Sequence, residues 1–182
     1  MAKEIFEWLK TIVASIVMVL IITTFVTPLV VDGASMNPTL EDHDYLILEN
    51  THKIQRGDII SFKSNIKFSQ EELESFNLIK RIKLGKVKNL VKRVIAVEGD
   101  QLLIKDGIVY VNEEEIKEDY INGDYTFGDI DIKKIPKNKI FVMGDNRENS
   151  LDSRKIGLVD VETVKGKLLI RVLPVSEFGN VK

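Results

Sequence analysis

From Thr11 to Val31 the chain carries no charged side chain. As a helix rising roughly 1.5 Å per residue, this run spans about 31 Å, the thickness of a bilayer's hydrocarbon core. The apolar region of a cleaved signal peptide is shorter, roughly 7–15 residues. The run is therefore read as an uncleaved, single-pass transmembrane anchor over 11–31, preceded by a short segment 1–10. The competing reading is a cleaved signal with Asp32-Gly33-Ala34-Ser35 as its small-residue cleavage region. Lys3, Lys10 and the N-terminal amine flank one side of the run, and no Lys or Arg follows it until Lys53. Positive charge stays inside, so the N-terminus is expected in the cytoplasm and residues 32–182 on the extracytoplasmic face of the cell membrane. Ser35 follows the run almost at once, which puts a candidate nucleophile beside the membrane surface.

The remaining residues, about 150, suffice for one domain with a sizeable core. Lys and Arg total 26 against 28 Asp and Glu, a net charge of −2, which gives no reason to expect nucleic acid as a partner. The absence of cysteine excludes a disulfide framework, a thiolate zinc site and a Cys nucleophile. With only two histidines, His43 and His52, a His-rich metal site is not expected either. No cofactor is called for.

Past the anchor, short apolar runs alternate with turn residues. Tyr45 to Leu48, Ile59 to Phe62, Val91 to Val97, Ile140 to Met143 and Leu168 to Leu173 read as strands. Leu102-Leu103-Ile104 and Ile108 to Val111 flank Asp106-Gly107, a hairpin signal. Such a pattern predicts a mainly β domain, a barrel or sandwich. One segment, about 66–90, breaks the rhythm as a helical and basic insertion. Ser69 with Glu72 forms a capping box, and Leu73, Phe76, Ile79 and Ile82 follow at helical spacing, predicting a helix from Ser69 to Lys83.

Three places carry potential chemistry. Ser35 lies in Gly33-Ala34-Ser35-Met36-Asn37-Pro38-Thr39-Leu40, and its hydroxyl needs a base to attack a carbonyl. His43 and His52 sit in polar loops and do not look like oriented partners. Lysine serves when it is neutral, and burial lowers its pKa. Lys92 interrupts the apolar run Leu90-Val91-Lys92-Arg93-Val94-Ile95-Ala96-Val97. Alternation puts Lys92 and Arg93 on opposite faces, so that one can be buried while the other is solvated. An edge strand with both charges exposed is the competing reading. The third place is the polar loop Gly144 to Arg154, which leaves an apolar strand and can hold its shape through Asp–Arg pairs and side-chain bonds to backbone.

Together these motifs, with Arg56-Gly57-Asp58-Ile59-Ile60, resemble bacterial type I signal peptidases, in the same order and behind the same N-terminal anchor, from about residue 8 to 174. The resemblance implies a membrane-anchored serine endopeptidase that removes signal peptides from exported preproteins. It implies a β-rich catalytic domain with an SH3-like barrel core, like that of the self-cleaving repressors. Ser35 would be the nucleophile and Lys92 the general base, acting through an acyl-enzyme. Ser150 would orient the Lys92 amine, Asp152 and Arg154 would pair, and Asp145 would support the same loop. Val31, Met36, Leu40, Leu90 and Val91 match the shallow pockets that accept small residues at the −1 and −3 positions. The lipid bilayer and nearby export machinery are the further partners implied. Some members bind the oxyanion with a serine where Gly33 stands, so here the oxyanion would rely on backbone N–H groups around Gly33 and Ser35. The turn Glu98-Gly99-Asp100 lacks the proline usual at that turn, and Leu78-Ile79-Lys80-Arg81-Ile82 mimics the lysine motif. Lys92 is preferred over Lys80 because only Lys92 leads into a Gly-Asp turn. From a different class, an exported β-rich binding module with a cleaved signal peptide fits the same composition.

Overall fold

The computed structural model describes residues 1–75, 86–123 and 125–181 of the chain. Its uncharged run is two elements. Helix α1 (Ala2–Phe25) leaves its large apolar side chains exposed, and the stretch Lys3–Phe25 is long and apolar enough to cross a membrane. The helix expected to reach Val31 stops at Phe25, and strand β1 (Val26–Val30) follows. Pro28 accounts for the break: it has no N–H for a helical bond, and it pushes Thr27 toward extended geometry. An edge strand tolerates the missing donor, and β1 is the edge of its sheet. Asn50 fastens the junction. Its N–H donates to the Phe25 carbonyl (2.8 Å), its Nδ2 to the Thr24 carbonyl (3.1 Å), and its Oδ1 accepts from Thr27 Oγ1 (2.8 Å).

The expected strands form and mostly extend further: β2 (Tyr45–Glu49), β3 (Ile59–Lys67) and β4 (Val87–Ala96). The insertion is thus narrower than 66–90, because β3 and β4 pair as far as Lys67 and Val87. Within it, helix α2 (Gln70–Ser75) opens on the expected box, with Glu72 N–H to Ser69 Oγ at 3.1 Å and Ser69 N–H to Glu72 Oε2 at 2.7 Å. The rest of the expected helix, with Phe76, Ile79, Lys80, Ile82 and Lys83, lies outside the described residues.

The hairpin of β5 (Leu102–Lys105) and β6 (Ile108–Val111) turns on Asp106 and Gly107, whose φ values are +54° and +84°. Both central residues being left-handed matches a type I′ turn. Strands β7 (Glu114–Glu115), β8 (Ile130–Ile132), β9 (Lys139–Met143), β10 (Val159–Asp160) and β11 (Val164–Leu173) complete the set, with a one-turn helix α3 (Ser153–Ile156) before β10. All pairings are antiparallel. Seven strands form one sheet, β1-β2-β11-β3-β4-β9-β10, and four form another, β7-β6-β5-β8. The protein is therefore mainly β behind an N-terminal apolar helix.

Three apolar clusters hold the domain. One joins the two sheets, with Ile95, Ala96, Phe141 and Met143 against Leu102, Ile104, Val109 and Val111. A second lies under β3, β4 and β9, built on Ile60, Phe62, Val94 and Val142. The third gathers Val31, Met36 and Leu40 against Leu46 and Ile59. This third cluster roots the segment that carries Ser35.

Candidate active site

After β1 the chain reverses. Val31 N–H donates to the Asp44 carbonyl (2.9 Å) and His43 N–H to the Val31 carbonyl (3.0 Å), closing residues 31–44 into a loop. Gly33 takes φ +89°, a conformation other residues resist. Past it, Leu40 N–H to the Met36 carbonyl (3.0 Å) closes one turn, and the Met36 and Leu40 side chains plug the apolar cluster below. Ser35 stands just before this anchored turn.

Lys92 meets it from β4. Lys92 Nζ lies 2.5 Å from Ser35 Oγ and donates to the Val91 carbonyl at 2.9 Å. Its side chain is buried, with 2% of the residue exposed. Burial lowers its pKa from the usual lysine range to about 8; the Asp152 and Asp145 carboxylates pull it partly back up. Arg93 is also buried, at 4%. Of the two neighbours, then, neither is solvated: β4 is an inner strand flanked by β3 and β9, and apolar packing covers both of its faces.

The two cations are treated differently. Arg93 makes a two-pronged ion pair with Asp145, Nε to Oδ1 at 2.9 Å and Nη2 to Oδ2 at 2.7 Å, and stacks 4.0 Å over the Tyr120 ring. Lys92 has no such carboxylate in contact among the described residues. Asp152 is engaged by Arg154, Nε to Oδ1 at 2.9 Å and Nη2 to Oδ2 at 2.8 Å, and accepts from Gly144 N–H at 3.0 Å. Burial opposes its ionisation, but Arg154 and the Gly144 N–H hold its pKa below the usual carboxylate range. Both carboxylates near Lys92 are thus bonded to arginines, and the amine is left with a hydroxyl and a carbonyl. That arrangement suits a base.

The loop after β9 grips the Ser35 segment. Asn146 N–H donates to the Ser35 carbonyl (3.2 Å) and Asn146 Nδ2 to the Ala34 carbonyl (3.0 Å). Thr39 Oγ1 donates to Asp145 Oδ2 at 2.5 Å. A Cβ added at Gly144 would lie 2.3 Å from both Ser150 Oγ and the Ser35 carbonyl oxygen, so only glycine fits there. Ser150 is buried beside these groups. Its Oγ makes no hydrogen bond of full geometry among the described residues, to Lys92 or otherwise, although it is near enough to Asp152 to help keep that carboxylate ionised.

Of the backbone donors around Ser35, the Gly33 N–H is engaged with Asp42 Oδ1 at 2.8 Å. The Ser35 N–H has no protein acceptor among the described residues. The apolar positions separate by face. Val31, Met36 and Leu40 are buried together, and half-buried Val91 packs on them. Leu90 points to the other face of β4 and packs on the second cluster.

Sequence reasoning passed over Thr39, Asn146 and Arg147, although all three lie inside the motifs that carry Ser35 and Asp145. Arg147 is fully buried and bonds Glu118, Thr126 and the Gly144 carbonyl (3.1 Å), bracing the loop from behind. Glu118 and Thr126 gave no signal, because their part depends on a chain crossing that no local pattern encodes.

A family model described as signal peptidase, peptidase S26, matches residues 5–173. The chain belongs to that family. It is a peptidase of the serine hydrolase type that the family comprises. It is 34% identical over 200 aligned positions to signal peptidase IB of Staphylococcus aureus (strain COL), covering 98% of this chain and 94% of that protein. It is 33% identical over 192 positions to signal peptidase I of Bacillus licheniformis, covering 96% and 92%. A crystal structure of a signal peptidase I from Enterococcus faecalis V583 aligns at 28% identity with TM-score 0.48, covering 64% of this chain and 97% of that one.

Proposed function

We propose that this member of the family removes signal peptides from exported preproteins, with Ser35 as nucleophile and Lys92 as general base. The contact between Lys92 Nζ and Ser35 Oγ, 2.5 Å inside a site that lowers the lysine pKa to about 8, carries this reading. Neutral Lys92 accepts the Ser35 proton as Oγ attacks the scissile carbonyl carbon. The Ser35 N–H, without an acceptor among the described residues, faces the oxyanion as donor; the Gly33 N–H is held by Asp42 and contributes by shaping the turn. Protonated Lys92 then gives its proton to the leaving amine. In the second half, Lys92 takes a proton from water, which attacks the acyl-enzyme and frees Ser35.

Ser150 orients the Lys92 amine in this scheme. Its buried hydroxyl has no full-geometry partner among the described residues and is available to that amine. Asp145, Asp152 and Arg154 keep the loop in shape and keep the carboxylates committed to arginines. Val31, Met36, Leu40 and Val91 form the apolar floor that receives a small side chain at −1, while Leu90, which shares the Lys92 face of β4 by alternation, packs on the second cluster. Helix α1 anchors the enzyme in the cell membrane with its N-terminus in the cytoplasm and the β domain on the extracytoplasmic side. A core of SH3-like barrel form, contact with the bilayer and nearby export machinery complete this reading.

The test is cleavage of a secretory preprotein by detergent-solubilised protein. Wild type and Lys80→Ala are expected to cut at the small-residue site, and Ser35→Ala and Lys92→Ala to be inert yet folded. Cleavage by Ser35→Ala overturns the reading. Loss only in Lys80→Ala moves the base to that lysine.

A further inference from the structure

The buried arginine of β11 has no place in the chemistry just described, yet it reaches the segment that carries the nucleophile. Arg171 is 6% exposed and 132 positions from Thr39 along the chain. Its Nη2 donates to the Thr39 carbonyl at 2.6 Å. Its Nη1 lies 3.2 Å from Asp44 Oδ2 and also bonds Glu177. Asp44 is itself buried, and its Oδ2 accepts from Glu41 N–H at 3.0 Å. Arg171 therefore holds both ends of the 39–44 stretch, at the Thr39 carbonyl and at the Asp44 carboxylate.

Thr39 is the pivot. Its hydroxyl is bonded to Asp145, the partner of Arg93, and its carbonyl to Arg171. The residue that ends the turn after Ser35 is thus held from two sides by two arginines on different strands. A third attachment comes from the chain's end. Backbone bonds join Arg171 and Gly179 in both directions, 2.9 and 3.1 Å, which fold residues 174–179 back so that Glu177 faces the guanidinium.

We propose that Arg171, braced by Glu177, is a positioning residue that sets the distance between Ser35 Oγ and Lys92 Nζ by fixing Thr39. A guanidinium fork can serve a carbonyl and two carboxylates at once, whereas a lysine ammonium keeps the charge and loses that geometry. Misplacing a reacting atom by an ångström is enough to slow a step by about 100-fold. The proposal rests on the Ser35–Lys92 reading, and the experiment separates the two.

Preprotein cleavage by full-length protein is measured for wild type, Ser35→Ala, Arg171→Lys, Arg171→Met and Glu177→Gln, with melting curves for each. At a temperature where melting shows the variant folded, Arg171→Lys is expected to lower kcat about tenfold or more with KM within about twofold. The midpoint of its pH profile stays where wild type has it, because burial, and not Arg171, sets the Lys92 proton affinity. Glu177→Gln shows the same pattern, smaller. A merely structural arginine shifts the melting curve and leaves kcat of the folded variant unchanged. Wild-type kcat in Arg171→Lys and in Glu177→Gln overturns the proposal even if Arg171→Met fails to fold. Activity in Ser35→Ala overturns the dyad reading instead.

Discussion

Two neighbouring regions of the β domain are stabilised by opposite means. The junction with the small sheet is apolar: Leu102, Ile104, Val109 and Val111 meet Ile95, Phe141 and Met143 with little polar content. Next to it, the same β4 and the loop after β9 bury Lys92, Arg93, Asp145, Arg147 and Asp152. Apolar burial stabilises by area removed from water. Buried charges contribute little net stability, since desolvation offsets their attraction, but they fix position tightly. One region keeps the domain folded and the other keeps a hydroxyl and an amine in register. Within the second region Arg93 is paired, whereas Lys92 has no carboxylate in contact among the described residues, so on Lys92 desolvation outweighs the pull of Asp152 and Asp145.

The widest break in this comparison comes at the proposed dyad. Lys92→Met is expected to reduce cleavage by about 10⁴-fold or more, judged from single knock-outs of comparable catalytic groups. It is also expected to raise the melting temperature, because an apolar chain relieves a desolvated amine. A lower melting temperature for this variant would show that Lys92 contributes to folding like its neighbours do. The next effect is on pH. The proposed base acts when neutral, and Lys92 has its pKa lowered to about 8, so cleavage is expected to rise with pH and level off above 8. Two pH units below that midpoint the neutral fraction, and with it kcat/KM, falls about 100-fold. A midpoint near 6.5 would point to a histidine instead. The same shift makes wild-type stability climb between pH 8 and the unfolded lysine value of 10.5. The unfolded chain binds the extra proton in that window, so its advantage fades as pH rises. Lys92→Met should lack this climb.

Smaller effects sharpen the contrast. Gly144→Ala forces a methyl against Ser150 and the Ser35 carbonyl; activity should drop more than about tenfold, with a stability loss of roughly 1–3 kcal/mol in denaturant melts. Asp145→Asn leaves Arg93 buried without its counter-charge and should cost about 3–5 kcal/mol, lowering activity as Thr39 loosens. Last, Ile104→Val in the apolar junction should cost about 0.5–1.5 kcal/mol and leave kcat untouched. A kcat change there would mean that the two regions are coupled after all.

Much of this was legible in the chain. The Asp106-Gly107 hairpin formed in the expected register because a two-residue turn with both residues left-handed fixes pairing locally. The capping box at Ser69 and Glu72 formed for the same local reason. Lys92 stood out because a charge inside an apolar run demands an explanation. The end of α1 was legible too, in Pro28, but an uncharged run reads alike as helix or strand. What stayed hidden were partners distant in sequence. Nothing local marks Glu118 as the partner of Arg147. Nothing marks Arg171 as the donor to Thr39 either, or Asp42 as the acceptor of the Gly33 N–H.

The sequence by itself determined the apolar helix, the strand-and-turn rhythm and the family, and it singled out Ser35 and Lys92 as candidates, since each depends on residue type and short spacing. Tertiary structure decided that both Lys92 and Arg93 are buried, that Arg93 has a carboxylate partner while Lys92 has none in contact among the described residues, and that the Gly33 N–H is occupied while that of Ser35 has no acceptor among them. Those outcomes depend on which carboxylates and backbone groups the folded sheet brings within about 3 Å, the range of a hydrogen bond. Residues far apart along the chain enter that range only once the strands have paired.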